Sequence, residues 1–166
     1  MSHPPIGIDL GTSTSLLCAF LDGKPIPLPS PLAEHRAPVI PSVVGYSKER
    51  DEVVVGYRAE NYRSRPDSFI QEVKRKMGTD ELIRLGSRSY RPQEVSAMLL
   101  KNMVQGASAD LGVDIAEAVI SVPANFKDAA RQATLDAALI AGLQVPMLIA
   151  EPTSAALAFG IEHLDA

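Results

Sequence analysis

Short apolar runs separated by polar turns dominate the first part of the chain. Residues 6–10 and 15–21 are predicted as two strands joined by the polar turn at residues 11–14. The dipeptide Asp22-Gly23 is typical of a tight hairpin, so we expect a third strand to start near Lys24 and to return along the second. The pattern therefore predicts an antiparallel unit of three strands.

Prolines mark the next segment. Six of the thirteen prolines fall between Pro25 and Pro41, a density that excludes a helix and favours extended connecting chain, here a passage between two subdomains. Beyond it, residues 42–46 and 53–55 are predicted as short strands. A short helix is predicted within residues 67–77, where Gly78 would end it.

The second half of the chain carries the stronger helical periodicity. Residues 92–111 are predicted as a helix, with proline in the first turn and Gly112 just beyond the last. After it the pattern alternates between strand and helix, which implies parallel pairing joined to the antiparallel hairpin. The predicted elements are a strand at 118–122, a helix at 127–141 capped by Asn125 with Asp128 and ended by Gly142, a strand at 146–150, and a helix at 152–161.

Composition indicates an ordinary globular protein. The 166 residues are 46% hydrophobic and 22% charged, which suits one soluble core. The net charge of −4 and the lack of a Lys/Arg block argue against nucleic acid as a partner. We find neither a leader peptide nor an apolar run long enough for a membrane span, so we expect a cytoplasmic location. Cys18, the single cysteine, is predicted to be a buried packing residue.

The turn after the first strand is the first candidate site. Asp9 ends the strand, and Gly11 is followed by three hydroxyl side chains, Thr12, Ser13 and Thr14. Glycine allows close backbone approach, and amides and hydroxyls can donate to phosphate oxygens. A carboxylate beside a phosphate needs a cation between them, which points to Mg²⁺ held through water. The alternative is a hydroxyl-rich hairpin without a ligand, and the pattern does not fit a Walker loop.

Two further residues are candidates, each with a structural alternative. Glu151 lies between an apolar strand and Pro152, so we expect it to be extended at the carboxyl end of a parallel strand, where open α/β sheets bind ligands. It can equally be a carboxylate that stabilises the start of a helix. Lys74, within a basic run, is either part of a site or part of a solvated face.

Taken together, these segments resemble the DnaK-type heat-shock chaperone family, within the superfamily of actin and hexokinase-like sugar kinases. Residues 6–12 are similar to its first phosphate loop, 41–44 to the start of its small subdomain and 73–75 to its catalytic-lysine segment. The more specific blocks are residues 122–134 and 151–160, which sugar kinases lack. Residues 74–90 are most similar to the bacterial HscC subgroup.

The resemblance implies an α/β fold. It consists of a ribonuclease-H-like subdomain, with a mixed five-stranded sheet and helices, formed by residues 1–36 and 113–166, and a small α+β subdomain inserted at residues 37–112. It also implies ATP or ADP with Mg²⁺ as ligands, and it allows K⁺. The implied roles are a Mg²⁺-water contact for Asp9, a phosphate cradle of Gly11, Thr12, Ser13 and Thr14, positioning of the attacking water by Lys74 and Glu151, and a proline switch of Pro123 and Arg131. Asn125 and Phe159 stand where the family usually has tyrosine, which leaves details of the switch open.

The family pattern continues beyond the blocks matched here. We find no second phosphate loop, adenosine-binding motifs, second lobe or peptide-binding domain in this sequence, and we expect an engineered fragment, a truncated gene product or one piece of a split protein. Such a chain is expected to show no appreciable ATPase turnover alone and to bind ATP more weakly than about millimolar, about −4 kcal/mol.

Partners follow from the same resemblance. They are the missing second lobe and peptide-binding domain, a J-domain co-chaperone and a nucleotide-exchange factor. Self-association through an uncovered apolar face is also expected. Two alternatives remain: a noncatalytic or decoy lobe that docks on a chaperone or its exchange partner, and a lobe of a small-molecule kinase.

Overall fold

The computed structural model describes residues 3–28 and 37–163. Short apolar segments form most of the strands, in which successive side chains point to opposite faces, and the longer helices have residues on one face at 3.6-residue spacing. In chain order the strands are β1 (Ile6–Leu10), β2 (Thr14–Leu21), β3 (Lys24–Pro27), β4 (Val39–Pro41), β5 (Val44–Ser47), β6 (Glu52–Val55), β7 (Phe69–Ile70), β8 (Ile83–Leu85), β9 (Arg88–Tyr90), β10 (Val119–Val122) and β11 (Leu148–Ala150). The helices are α1 (Tyr57–Glu60), α2 (Pro92–Leu111), α3 (Asp128–Ile140) and α4 (Glu151–His163).

The largest sheet is mixed and has the strand order β11-β10-β1-β2-β3. β1, β2 and β3 form the predicted antiparallel unit, and β10 and β11 add to β1 in parallel. The five-stranded mixed sheet predicted for an α/β fold is therefore confirmed. A short sixth strand, β4, also pairs with β2, beginning with Thr14 opposite Pro41. Subdomain boundaries at residues 36 and 112 stay a prediction.

The core lies on one face of this sheet. In β1, Ile6, Ile8 and Leu10 are buried whereas Gly7 and Asp9 are exposed, as a strand with one covered face requires. Helices α2 and α3 pack against each other and join the same hydrophobic cluster as the buried residues of β1 and β2. On the opposite face, β1 presents the exposed carboxylate of Asp9.

The segment between β4 and α2 differs from its predicted secondary structure at residues 67–77. β5 pairs with β6 and β7, and β8 pairs with β9 as a separate hairpin. The helix predicted within residues 67–77 is wrong: two 3-10 turns, Pro66–Ser68 and Val73–Lys76, flank the extended strand β7. Pairing of β7 with β5 overrides the local helical pattern, and Glu72 takes a left-handed φ of 56° that no helix accommodates.

Helix ends show where local rules succeed and fail. α2 has its predicted bounds, and Gly112 ends it with a φ of 67°. The predicted Asn125–Asp128 cap of α3 is wrong, because the amide of Phe126 donates to the carbonyl of Pro123 in a tight turn and the N-cap is Lys127, without a side-chain cap bond. The α3 stop at Gly142 is supported by its φ of 86°.

Two smaller expectations also need correction. Glu151 was predicted to be extended, but it is the first residue of α4. Pro152 can follow it inside the helix because the first amides of a helix have no intrahelical acceptor, so the missing N–H of proline removes no hydrogen bond. Cys18 is half-buried rather than fully buried, because it lies on the face of β2 opposite the core residues Leu17 and Ala19. Among the described residues, none of the helices combines the length and apolar character needed to cross a membrane.

Candidate functional site

The turn between β1 and β2 is tight and is hydrogen-bonded to Ser42. A Cβ atom at Gly11 would lie 2.0 Å from the carbonyl oxygen of Thr14, so only glycine fits this position. The amide of Ser42 donates to the carbonyl of Ser13 at 2.8 Å, and the hydroxyls of Ser15 and Ser42 share a buried hydrogen bond of 2.8 Å. These contacts restrict the conformation of the turn and so fix the positions of its backbone amides and hydroxyl groups.

Asp9 accepts a hydrogen bond from a residue that the sequence did not single out. The Ser121 hydroxyl donates to Oδ1 of Asp9 at 2.8 Å, because the parallel register of β1 and β10 sets these two residues side by side. The only sequence signal was a hydroxyl at the carboxyl end of a predicted parallel strand, inside an apolar run. The carboxyl ends of neighbouring parallel strands meet at one sheet edge, and that is where Asp9 and Ser121 lie.

Lys74 and Glu151 form an ion pair although 77 positions separate them. Nζ of Lys74 donates to Oε1 of Glu151 at 2.5 Å. The lysine side chain is only 9% exposed, whereas the glutamate side chain is 40% exposed. The alternative interpretation of Lys74 as part of a solvated basic face is therefore wrong; its neighbour Arg75 is the exposed one. A buried ammonium group requires such a partner.

A cavity joins the turn, the lysine segment and the loop before α3. Its volume is about 530 Å³, and Thr12, Lys74 and Pro123 all line it. A smaller void of about 10 Å³ is lined by Gly11, Lys74 and Ser121, the residue that holds Asp9. The structure thus places four of the predicted site residues on shared cavities, and Glu151 and Asp9 each bond to one of the lining residues.

The remaining predicted residues lie at the margins. Ser13 and Thr14 are exposed in the turn. Arg131 is half-buried in the first turn of α3, whereas Pro123 lies in the loop before that helix. Phe159 is outside the residues whose side chains the structure describes. Of the two residues of the predicted switch, Pro123 lines the larger cavity together with Thr12 and Lys74.

The donor set suits a hydrated magnesium ion that arrives with phosphates. Mg²⁺ prefers oxygen ligands, keeps several waters and is usually bound by one or two carboxylates plus substrate phosphates. Asp9 is an exposed carboxylate, and the neighbouring turn offers hydroxyls and amides. Within residues 3–28 and 37–163 no group of three or more metal-binding side chains forms a cage. The exposed carboxylate of Asp9 beside hydroxyl and amide donors fits an ion held through water.

A family model described as "Hsp70 protein" matches residues 5–83 and 81–166 of the chain. The two matches together extend over nearly the whole sequence, and they include the turn after β1, the Lys74 segment and the start of α4.

Proposed function

The chain belongs to the Hsp70 family, and from that premise we propose that it forms the phosphate-binding side of a chaperone nucleotide-binding domain. Membership confirms the resemblance to DnaK-type chaperones that the motifs indicated, and with it the general expectation of nucleotide and Mg²⁺ binding. The HscC-like subgroup and the expected cytoplasmic location stay predictions.

The observation that carries this proposal is the Lys74–Glu151 pair beside the phosphate turn. Lys74 bonds to Glu151 at 2.5 Å and shares the cavity of about 530 Å³ with Thr12. An ammonium group has three hydrogens, so its bond to Glu151 leaves two for water or phosphate oxygens. A cation held in a poorly solvated position stabilises developing negative charge more strongly than one in bulk water.

We assign the roles as follows. Asp9 would hold Mg²⁺ through water, and the ion would neutralise charge on the phosphates when nucleotide is bound. Gly11, Thr12, Ser13 and Thr14 would cradle the phosphates through amides and hydroxyls. Lys74 would donate to the attacking water and orient it, and Glu151 would fix the ammonium group of Lys74 and accept a hydrogen bond from water. K⁺ binding remains a prediction of the resemblance.

Coupling to partners is the less direct part of the proposal. Pro123 lines the cavity and precedes α3, so a change at the phosphates could reach α3 and Arg131 through this loop. By resemblance, that movement would report nucleotide state to a peptide-binding domain, and a J-domain co-chaperone and a nucleotide-exchange factor would act on the same cycle. This coupling is supported by the cavity that Lys74, Thr12 and Pro123 line together.

A reconstitution experiment tests the catalytic proposal. The 166-residue chain is mixed with a separately produced second lobe of an Hsp70 nucleotide-binding domain, and phosphate release from MgATP is measured. Each lobe alone should show no appreciable turnover, and the mixture should restore it. Lys74→Ala should lower the restored rate about 100-fold or more, the usual effect of removing a charge-stabilising donor.

A matched control separates chemistry from general charge loss. Lys76 lies on the same 3-10 turn and pairs with Glu81 at the surface, so Lys76→Ala should leave the restored rate near that of the unaltered chain. Equal losses in Lys74→Ala and Lys76→Ala would refute the assigned role of Lys74.

A docking role without catalysis is the second candidate. Helix α4 is exposed over most of its described side chains, and Leu157 is 55% exposed, so an apolar surface is available for a protein partner or a second copy. Stable association with the second lobe but no phosphate release would favour this function over the catalytic one. Sedimentation of the chain alone tests the expected self-association.

A further inference from the structure

The Ser121 hydroxyl has an unusual position for a buried polar group. Its neighbours in β10, Ile120 and Val122, are 0% and 1% exposed, and Ser121 itself is 9% exposed. A strand of this kind is normally a continuous apolar run, because a buried hydroxyl must be hydrogen-bonded. Here the bond goes to the exposed carboxylate of Asp9 at 2.8 Å rather than to a group in the core.

That bond restricts the carboxylate. An exposed aspartate side chain rotates about two torsions, and a hydrogen bond from a nearly immobile strand residue selects one orientation. Ser121 bonds Oδ1, and among the described residues Oδ2 of Asp9 has no protein hydrogen-bond partner. One oxygen is thereby fixed, and the other is available to accept from a metal-bound water.

We propose that Ser121 is a positioning residue that orients Asp9 for magnesium-dependent phosphate binding. The inference rests on the proposed function, in which Asp9 contacts hydrated Mg²⁺. Ser121 acts through Asp9 and not on the nucleotide itself. Register supports this arrangement, because Asp9 and Ser121 are paired directly across β1 and β10, so backbone hydrogen bonds of the sheet set their separation.

The test compares magnesium-dependent and magnesium-independent binding in the full 166-residue chain. ATP is titrated with excess Mg²⁺ and, separately, with EDTA, and dissociation constants are obtained from NMR chemical shifts. The quantity compared is the gain in affinity that Mg²⁺ provides. Ser121→Ala should reduce this gain about tenfold, as expected for a lost hydrogen bond to a charged group, and leave ATP binding in EDTA unchanged.

Two further variants separate positioning from a purely structural role. Ser121→Thr keeps a hydroxyl and should retain the gain. Ser47→Ala removes another buried serine, on β5, whose hydroxyl accepts from the amide of Arg50, and should also retain it. The ¹³C shift of the Asp9 carboxyl group should change in Ser121→Ala and stay near its original value in Ser121→Thr.

The outcomes are distinct. A magnesium gain in Ser121→Ala equal to that of the unaltered chain overturns the inference while the proposed function stands. Equal losses in Ser121→Ala and Ser121→Thr also overturn it, since the hydroxyl would then not be the cause. Absence of any magnesium gain in the unaltered chain overturns the proposed function, and the positioning role with it.

Discussion

Gly78 packs the Lys74 segment closely against helix α3, and replacing it should lower the stability of the fold more than most single substitutions do. It follows the 3-10 turn Val73–Lys76 and has a φ of 79°. A Cβ atom there would lie 2.5 Å from the backbone nitrogen of Ala130 and 2.7 Å from the carbonyl carbon of Ala129. These are backbone atoms in the first turn of α3, so they cannot rotate away as a side-chain end would.

The magnitude follows from two separate costs. An alanine held at positive φ costs about 1–2 kcal/mol. Forcing a methyl group into occupied space costs about 1–3 kcal/mol more. Gly78→Ala should therefore destabilise the fold by about 2–5 kcal/mol, and it should displace Lys74 from Glu151 as the turn moves off α3.

Gly112→Ala is the matched control. Gly112 has a φ of 67° at the end of α2, but nothing lies within 4 Å of the Cβ position, so only the backbone cost of about 1–2 kcal/mol applies. Urea denaturation followed by circular dichroism measures both variants. The loss of stability should be larger for Gly78→Ala than for Gly112→Ala by about 1–3 kcal/mol. Equal losses would show that the close approach of the lysine segment to α3 is not real.

Three other changes have defined outcomes. Glu151→Gln should lower the free energy of unfolding by about 1–2 kcal/mol, a value between the costs for exposed and buried ion pairs, because it leaves the largely buried ammonium group of Lys74 without a countercharge. Its control is Glu81→Gln in a surface ion pair, which should cost under about 1 kcal/mol in the same urea assay. Leu99→Ala should cost about 2–5 kcal/mol because this α2 side chain is 1% exposed, whereas Leu82→Ala, at a position 62% exposed, should cost under about 0.5 kcal/mol by thermal unfolding. Burial raises the pKa of the Cys18 thiol because it disfavours the thiolate. At pH 8, iodoacetamide should therefore modify Cys18 more slowly in the folded chain than in urea, and equal rates would contradict this.

Much of the fold could be predicted from the sequence where one local rule acts alone. The bounds of α2 follow from helical periodicity with Pro92 at the start and Gly112 at the end. The antiparallel unit follows from two short apolar runs, the polar turn between them and Asp22-Gly23. The helix predicted at residues 67–77 failed because pairing of β7 with β5 is a tertiary effect, and because a left-handed Glu72 has no signal in the sequence.

The candidate site could be predicted only in part. The turn at Gly11 and its hydroxyl neighbours could be recognised as a candidate because these residues are contiguous in the chain. Lys74 and Glu151 each kept a structural alternative, since residues 77 positions apart cannot be paired by spacing, and only the fold shows their contact. Ser121 was missed because a hydroxyl inside an apolar strand has no meaning until the register places it beside Asp9.

The proposed function requires the turn after β1 to share one phosphate-binding cleft with Lys74 and Glu151. Backbone amide shifts of the labelled chain, recorded during titration with MgATP, test it most directly. The largest shifts should fall together on residues 11–14, around Lys74 and at the start of α4, and Lys74→Ala should weaken all three responses. Shifts confined to a distant element such as the β8–β9 hairpin, or spread over surfaces that share no cavity with Thr12, would contradict it.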